Sequence, residues 1–316
     1  MKYKLLLAAT LLTSPILLAQ EGPVPTQTIL TLDAKAPQNP SPQTVKLRVN
    51  GHDSELTSLT RVPSNGVQVA LLIDDGLRSS VGRQLSDLKS FITSLPPGTE
   101  IFVGYMQNGR VTGAQDFTTD HAAAAGNLRI PLSTPGASAS PYICLSDFIH
   151  KWPGGASDEG ATLAPKARFV MMLTNGVDPY NGSVSPTNQN SVYVDNAVRD
   201  AQRAGVPVYS IYYGDVGFRG GAASFSGQNY LSQVAETTGG RAYFQGSGNP
   251  VSLSPFLTQF RNSIAESFVA TFNANSRSDM VDIKFSTSLP GTKLRAPQRV
   301  RPGTHITASG HLAVNP

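Results

Sequence analysis

Cysteine is nearly absent from this sequence, and so are the short motifs that mark common active sites. The single cysteine, Cys144, has no possible intramolecular disulfide partner, and its apolar neighbours predict a buried side chain. The five histidines follow no metal-ligand spacing, and neither a Gly-x-Ser-x-Gly elbow nor a phosphate-binding loop occurs. These absences argue against a zinc site, a common serine hydrolase and a nucleotide-binding enzyme, and we expect no cofactor.

Charged residues are also few, at 15% of the chain, and their signs nearly balance. There are 25 basic and 21 acidic residues, and two of the basic ones, Lys2 and Lys4, precede an N-terminal apolar run. A balance this close to neutrality does not indicate a nucleic-acid partner. The 316 residues are enough to bury a core without disulfides, so the sequence predicts an ordinary globular protein.

Long hydrophobic runs are scarce, and the longest lies at residues 5–19. It is shorter than the roughly 20 apolar residues that a membrane-spanning helix needs. Together with the two lysines before it, the run has the pattern of a secretory leader. We therefore predict a signal peptide at residues 1–19, cleaved within a few residues of Ala19, and no transmembrane segment in the mature chain. The mature protein is expected in the periplasm or outside the cell.

Residues 20–63 are predicted to form an extended segment followed by a β hairpin. The part up to Gln43 is rich in proline and polar residues, which indicates an extended chain. Residues 44–49 alternate between apolar and polar side chains, as a half-buried strand does. Asn50 and Gly51 then give a strong hairpin signal, and residues 56–62 are expected to return along the first strand.

Residues 64–267 are predicted to form an α/β domain. Nearly all-apolar segments, typical of buried parallel strands, alternate with segments of helical apolar spacing. This alternation predicts a doubly wound, mostly parallel sheet flanked by helices, with residues 110–117 as an antiparallel edge. In such a sheet a site lies beyond the carboxyl ends of the strands, here at loops 74–80, 174–190 and 214–229.

In residues 268–316 the apolar side chains again recur at every second position, as they do in a half-buried strand. Phe268, Ala270 and Phe272 are expected to pair with Val281, Ile283 and Phe285 in an antiparallel hairpin. The basic, proline-containing tail from residue 289 is expected to be a solvated arm or an edge strand. We expect the hairpins at the two ends of the chain to pair with each other, as small antiparallel β additions to the main domain.

Four segments, in order along the chain, resemble the von Willebrand factor type A domain. Residues 69–74 form an apolar strand that ends in an acid and precedes a serine-bearing loop, and residues 170–178 resemble the family's strand that ends in Thr-Asp-Gly. Residues 206–214 resemble its next strand. Residues 231–244, with a Thr-Gly-Gly segment, resemble exported bacterial proteins that carry a related domain. The resemblance covers roughly residues 67–267 and implies an α/β fold that usually binds a partner.

The resemblance also implies a metal-ion-dependent adhesion site, in which hydroxyl and carboxylate oxygens hold a divalent cation. The corresponding positions here are Asp74, Gly76, Arg78, Ser140 and Asn175. Glycine offers no side-chain oxygen, arginine is a permanent cation, and asparagine replaces the second acid. We therefore predict a degenerate site that binds no metal, with Arg78 paired to Asp74 and Asn175 bonded to the backbone of its own turn. An inward-turned Asp75 would be the main source of compensating negative charge.

Aromatic and arginine side chains in the loops at this edge are the candidates for partner contact. Phe218, Arg219 and Phe225 stand among small residues, and Tyr180 follows Pro179 in the other long loop. Such side chains dominate interaction hot spots, although packing of the loops onto the domain is the alternative. The leading hypothesis is a non-catalytic, exported binding module for a protein or cell-envelope partner. An envelope enzyme such as a hydrolase with an unrecognised site, and a purely structural envelope component, remain open.

Overall fold

The structure is a computed structural model that describes residues 22–34, 36, 38–134, 137–154, 165–180, 190–214, 220–246, 248–275 and 277–307, with the backbone alone at 220–224. The predicted signal peptide lies outside the described residues. The strands are β1 (Pro23–Ala34), β2 (Val45–Val49), β3 (His52–Ser54), β4 (Leu56–Arg61), β5 (Val67–Asp74), β6 (Glu100–Gln107), β7 (Arg110–Thr118), β8 (Ala167–Thr174), β9 (Val208–Tyr212), β10 (Ala242–Tyr243), β11 (Ser267–Asn275), β12 (Val281–Thr287), β13 (Thr292–Arg295) and β14 (Arg299–Val300).

The helices are α1 (Leu85–Thr93), α2 (His121–Gly126), α3 (Pro141–His150), α4 (Val192–Ala204), α5 (Gly220–Thr238) and α6 (Ser254–Ala265), with short 3₁₀ helices at Ser64–Gly66 and Ser79–Gln84. In the described part of the chain, none of these helices is long and apolar enough to cross a membrane. Helix α4 ends as the sequence predicts, because Gly205 adopts a left-handed conformation with a φ of 65°.

Six strands form the central sheet in the order β10-β9-β8-β5-β6-β7. All neighbours are parallel except β6 and β7, which are antiparallel, so the predicted mostly parallel sheet with one antiparallel edge is confirmed. Strand β5 lies between β8 and β6, and Val69 to Ile73 face Phe169 to Leu173 in register. These strands are almost entirely apolar because helices cover both faces of the sheet.

Successive side chains along each strand of the central sheet point to opposite faces of the sheet. Val69 and Leu71 of β5 belong to a core with Leu88 of α1 and Phe260 of α6. Ala70 and Leu72 point the other way, into a core built with residues of α3, α4 and α5. The period of two along a strand therefore places one helix layer on each side, and the loops that follow the strands gather at one edge.

The N- and C-terminal strands form two further antiparallel sheets, in the orders β13-β1-β11-β4 and β14-β12-β2-β3. The expectation that the two ends of the chain pair with each other is confirmed, because β2 pairs with β12 and β4 pairs with β11. The tail also supplies edge strands, β13 beside β1 and β14 beside β12. Apolar side chains from both sheets, among them Leu30, Leu47, Phe272 and Ile283, share one core.

Three details of these sheets differ from the sequence-based expectation. Residues 268–272 and 281–285 do not pair as a hairpin, because β11 and β12 lie in different sheets. In the N-terminal hairpin β2 turns at Asn50 and Gly51 into the short β3, while β4 crosses to the other sheet. The predicted extended segment contains β1, which pairs with β11. A period of two identifies the inward face of a strand but not its neighbour, which explains these errors.

Helix α5 begins ten residues before the predicted helix at Tyr230 and includes part of the predicted 214–229 loop. The sequence signal failed because the early part of α5 is rich in glycine, alanine and serine and lacks an apolar period. Tertiary packing explains the glycine at position 227. A Cβ built on Gly227 would lie 2.1 Å from the carbonyl oxygen of Asn175, so the helix approaches the loop after β8 too closely for any side chain.

Candidate functional site

Asp74 ends strand β5 at the edge where the sequence places the site. Its side chain is buried, with 2% exposure, and both carboxylate oxygens are bonded. Oδ1 accepts from the backbone N–H of Gly76 at 2.9 Å, and Oδ2 accepts from the Thr174 hydroxyl at 2.7 Å. Burial raises the pKa of Asp74 above its usual value, although hydrogen bonds from Thr174, Gly76 and Ser138 oppose this. Asp74 therefore joins the ends of β5 and β8.

Asp75, the next residue, binds an arginine that sequence analysis did not single out. The two guanidinium nitrogens of Arg129 donate to its two oxygens, Nη1 to Oδ1 at 2.7 Å and Nη2 to Oδ2 at 2.8 Å. Gln107 and the backbone N–H of Leu132 also donate to the carboxylate. Burial would raise the pKa of Asp75, but the hydrogen bonds from Arg129 and Gln107 outweigh it and hold the pKa below its usual value.

Arg129 is in turn fixed by Tyr105 of strand β6. Its guanidinium carbon lies 3.7 Å from the centroid of the Tyr105 ring, a cation–π contact. The Tyr105 hydroxyl donates to the Arg129 carbonyl and accepts from the Arg129 N–H, both at 2.7 Å. The segment after α2 is thus attached to β5 and β6 by a paired charge and two neutral hydrogen bonds.

The predicted ion pair between Asp74 and Arg78 is wrong. Asp74 is buried with the partners described above, whereas the Arg78 side chain is exposed. The spacing of four residues suggested contact as in a helix, but Arg78 has extended backbone and stands just before the 3₁₀ helix Ser79–Gln84. The buried ion pair at this edge joins instead Asp75 and Arg129, 54 residues apart, and no local pattern could have found it.

Ser140 and Asn175, the other two aligned positions, do not bond Asp74. Ser140 is buried just before α3, and its hydroxyl has no hydrogen-bond partner within the described ranges. Ser138 of the same loop bonds Asp74 instead. Asn175 Oδ1 accepts from the Val177 N–H at 2.9 Å, which confirms its predicted turn role. Asp178 likewise accepts from the Tyr180 N–H and from the Ser191 hydroxyl.

The residues at this edge do not fit the divalent cation that the fold family implies. A Cβ added to Gly76 would lie 3.2 Å from both Asp74 Oδ1 and the Thr134 carbonyl oxygen, so a side chain at that position would be crowded. The charge of Asp75 is matched by Arg129, and Asn175 is neutral. No group of three or more His, Cys, Asp or Glu side chains that could hold a metal occurs among the described residues. Too few free oxygens and too little negative charge converge for a hard cation.

Exposed apolar side chains gather at the same edge of the sheet. All seven large hydrophobic residues that are exposed in the described part of the chain lie in segments that reach this edge or in the early turns of the helices that begin there. We call this set the apolar rim; its members are Ile130, Leu132, Tyr180, Val192, Phe225, Phe244 and Val251. Scattered single residues are normal on a protein surface, whereas these seven all lie along one edge of the sheet.

One part of the apolar rim surrounds the 3₁₀ helix before α1. Ile130 Cδ1 is 3.1 Å from the position that a Cβ of Gly82 would occupy, so its side chain lies against that helix. Gln84 of the same helix donates to the Val251 carbonyl at 3.1 Å. Leu132 is positioned by the bond from its N–H to Asp75. The buried ion pair and this part of the rim are therefore directly connected.

The other part of the apolar rim lies around the N-terminal half of α5. Gln228 donates to the Gly246 carbonyl at 2.6 Å, which ties α5 to the loop containing Phe244. Phe225 lies on α5 with 57% exposure. Tyr180 is 59% exposed, and its ring meets Tyr193 of α4 edge-on with centroids 6.3 Å apart. Of the four predicted partner-binding residues, Tyr180 and Phe225 thus stand exposed at the edge, and Phe218 and Arg219 lie outside the described residues.

Comparisons with known proteins found similarity only at the level of solved structures. No family model and no curated protein sequence matches the chain. Among solved structures, it is similar to a von Willebrand factor type A protein from Catenulispora acidiphila, with 10% identity, a TM-score of 0.42 and coverage of 89% of this chain and 74% of that one. It is also similar to the ArnB paralog VWA2 from Sulfolobus acidocaldarius, with 10% identity, a TM-score of 0.38 and coverage of 87% and 76%.

A third similar structure is proximal thread matrix protein 1 from the mussel byssus, with 15% identity and a TM-score of 0.44 over 65% of this chain. The chain spans about half of that protein, 49% of its length. Likenesses at such low identity concern the path of the chain and carry no residue roles. The central sheet with helices on both faces has the arrangement that the sequence resemblance to the von Willebrand factor type A domain implies.

Proposed function

We propose that this protein is an exported, non-catalytic binding module that contacts a protein or cell-envelope partner through the carboxyl edge of its central sheet, without a divalent cation. The observation that carries the proposal is the apolar rim. Side chains as large as Tyr180 and Phe225 are costly to leave in water, at about 25 cal/mol per Å² of apolar surface. Their gathering where a fold of this class presents its ligand loops supports a partner that covers them.

The polar groups at the edge support binding without a metal. Asp74 and Asp75 are occupied by internal partners, and each joins two elements of the domain. Such a network fixes the loops that carry Ile130 and Leu132 before any partner arrives, which reduces the entropy that binding would cost. Asp74 and Asp75 thus serve as internal cross-links beneath the surface, and the contact surface is made of the side chains around them.

A pull-down from the native envelope fraction tests the proposal. The bait is the chain from residue 20, compared with the variant Ile130→Ser/Tyr180→Ser/Phe225→Ser. We expect the wild type to retain a partner in the presence of a chelator and the triple variant to lose it. The matched control is Arg48→Ser/Lys284→Ser, which changes exposed residues on the outer face of the appended sheet. Equal capture by all three proteins would contradict the proposal, and so would loss of capture on chelation.

Export is a separate part of the proposal and rests on the N-terminal pattern of two lysines and a short apolar run. N-terminal sequencing of the protein recovered from the producing cell is the direct test. We expect a mature chain that begins near Gln20, and fractionation then separates periplasm from medium. A chain that retains Met1 in the cytoplasm would be inconsistent with export.

A further inference from the structure

We infer that the partner of the apolar rim is an acidic protein segment, in which carboxylates flank apolar side chains, and that Arg83 is the residue that selects it. This inference rests on the proposed function of the edge. Arg83 lies in the 3₁₀ helix Ser79–Gln84, between the two residues that contact the rim. Gly82 on one side meets Ile130, and Gln84 on the other holds the segment of Val251, which is 90% exposed.

The guanidinium of Arg83 is exposed and has no hydrogen-bond or ion-pair partner within the described ranges. Asp87, one turn further along, is the nearest carboxylate in the sequence, but it is used elsewhere. Its Oδ2 accepts from the Ser252 hydroxyl at 2.6 Å and from the N–H groups of Leu253 and Ser254 at 2.8 and 3.2 Å. Asp87 therefore anchors the segment of Val251 and forms no ion pair with Arg83, whose guanidinium stays open to a partner.

The two acids that follow or end β5 are shielded. Asp74 and Asp75 are buried and bonded internally, so a partner cannot contact their carboxylates. Asp178 is buried as well, whereas Asp195, in the first turn of α4, is exposed beside Val192 of the rim. Arg83 and Arg110 expose positive charge there, and Arg129 is partly exposed at 39% of its side chain. An exposed arginine set between apolar side chains recognises a carboxylate by a bidentate hydrogen bond while its neighbours bury apolar groups. A peptide carrying both kinds of group is complementary to this surface.

The experiment uses the chain from residue 20 to pan a displayed library of random 12-residue peptides. We expect enrichment of peptides with Asp or Glu within two residues of Leu, Ile or Phe. For a synthetic peptide from the enriched pool, Arg83→Glu should weaken binding at least tenfold, and replacing the peptide's acids by amides should do the same. Arg277→Glu makes the same change of charge at an exposed residue in the turn between β11 and β12 and should leave the affinity unchanged.

The outcomes separate this inference from the proposed function. If Ile130→Ser/Val251→Ser abolishes peptide binding while Arg83→Glu does not, the edge binds a partner but the acidic selection is wrong. If neither variant changes binding, both the inference and the proposed function fail for these peptides. If dextran sulfate or vesicles of anionic lipid compete as well as the free peptide and bind regardless of Ile130 and Val251, the surface recognises polyanions, and the protein segment is the wrong partner.

Discussion

Arg129 and Asp75 form a bidentate ion pair beneath the carboxyl edge of the sheet, with N–O distances of 2.7 and 2.8 Å. The carboxylate comes from the residue that follows β5, and the guanidinium comes from the segment after α2. The pair lies next to Asp74, which the sequence resemblance aligns with a metal-ligand position. A fixed internal cation is thus available to hold these two segments, and it cannot dissociate or be chelated.

Removing Arg129 should destabilise the protein. Arg129→Ala leaves the carboxylate of Asp75 buried without its counter-charge, which we expect to lower the free energy of unfolding by about 2 kcal/mol. The value is below that of a fully buried pair because 39% of the arginine side chain is exposed. Urea denaturation measures it. The control Arg83→Ala, an exposed arginine at the same edge, should change stability by less than about 0.5 kcal/mol. Similar values for the two variants would show that the pair contributes nothing.

The protein should bind divalent cations no more tightly than millimolar. Calorimetry with Mg²⁺ or Mn²⁺ should show no heat of specific binding to the wild type, because Asp74 is bonded internally and Asp75 is matched by Arg129. The variant Gly76→Ser/Arg78→Ser/Asn175→Asp should gain weak binding, and adding Asp74→Ala should remove it. Arg78→Ser/Asn175→Asp provides a second route, since a side chain at position 76 would crowd Thr134. Tight binding by the wild type that Asp74→Ala abolishes would contradict the internal pairing.

The two adjacent aspartates should affect the pH dependence of stability in opposite directions. The pKa of Asp75 is lowered by folding, so its contribution is present above the unfolded value of 3.8 and is lost as the pH falls through the lower folded value. The pKa of Asp74 is raised, so stability falls as the pH rises from 3.8 through the higher folded value.

Unfolding free energies of Asp75→Asn and Asp74→Asn across this acid range provide the measurement. Asp75→Asn should remove the loss of stability below pH 3.8, and Asp74→Asn should remove the decrease above it. The two variants serve as controls for each other because the residues are adjacent and both are buried. Identical pH profiles for the two would mean that their environments do not differ as described.

The close approach of α5 to the loop after β8 should make Gly227 intolerant of any side chain. Gly227→Ala places a Cβ about 2 Å from the Asn175 carbonyl oxygen, so the helix or the loop must move, at an expected cost of about 2 kcal/mol. Thermal or urea unfolding measures this cost. Gly126→Ala in α2 is the matched control, because nothing lies within 4 Å of its added Cβ, and we expect no loss of stability. Equal stabilities of the two variants would exclude the close approach.

The sequence alone was sufficient for the central sheet because its signals are local. Residues 69–73 and 169–173 are apolar throughout, which favours burial on both faces, and most of the helices between strands follow from their apolar spacing. The turn role of Asn175 also followed from its own short segment. The pairing of strands in the appended sheets was harder to predict from the sequence. Alternation in β11 and β12 identifies which face of each strand points inward, but not which strand lies beside it.

The tertiary structure decided everything that depends on groups distant in the chain. It placed Arg129 instead of Arg78 in the buried ion pair, Ser138 instead of Ser140 against Asp74, and Phe225 on a helix instead of a loop. The sequence determines which residues are acidic, apolar or small, and those properties fix the elements. Which acidic and basic residues form ion pairs depends on how loops far apart in sequence converge at the carboxyl edge. The energy of an ion pair depends on distance and burial, and neither produces a periodic pattern in the sequence.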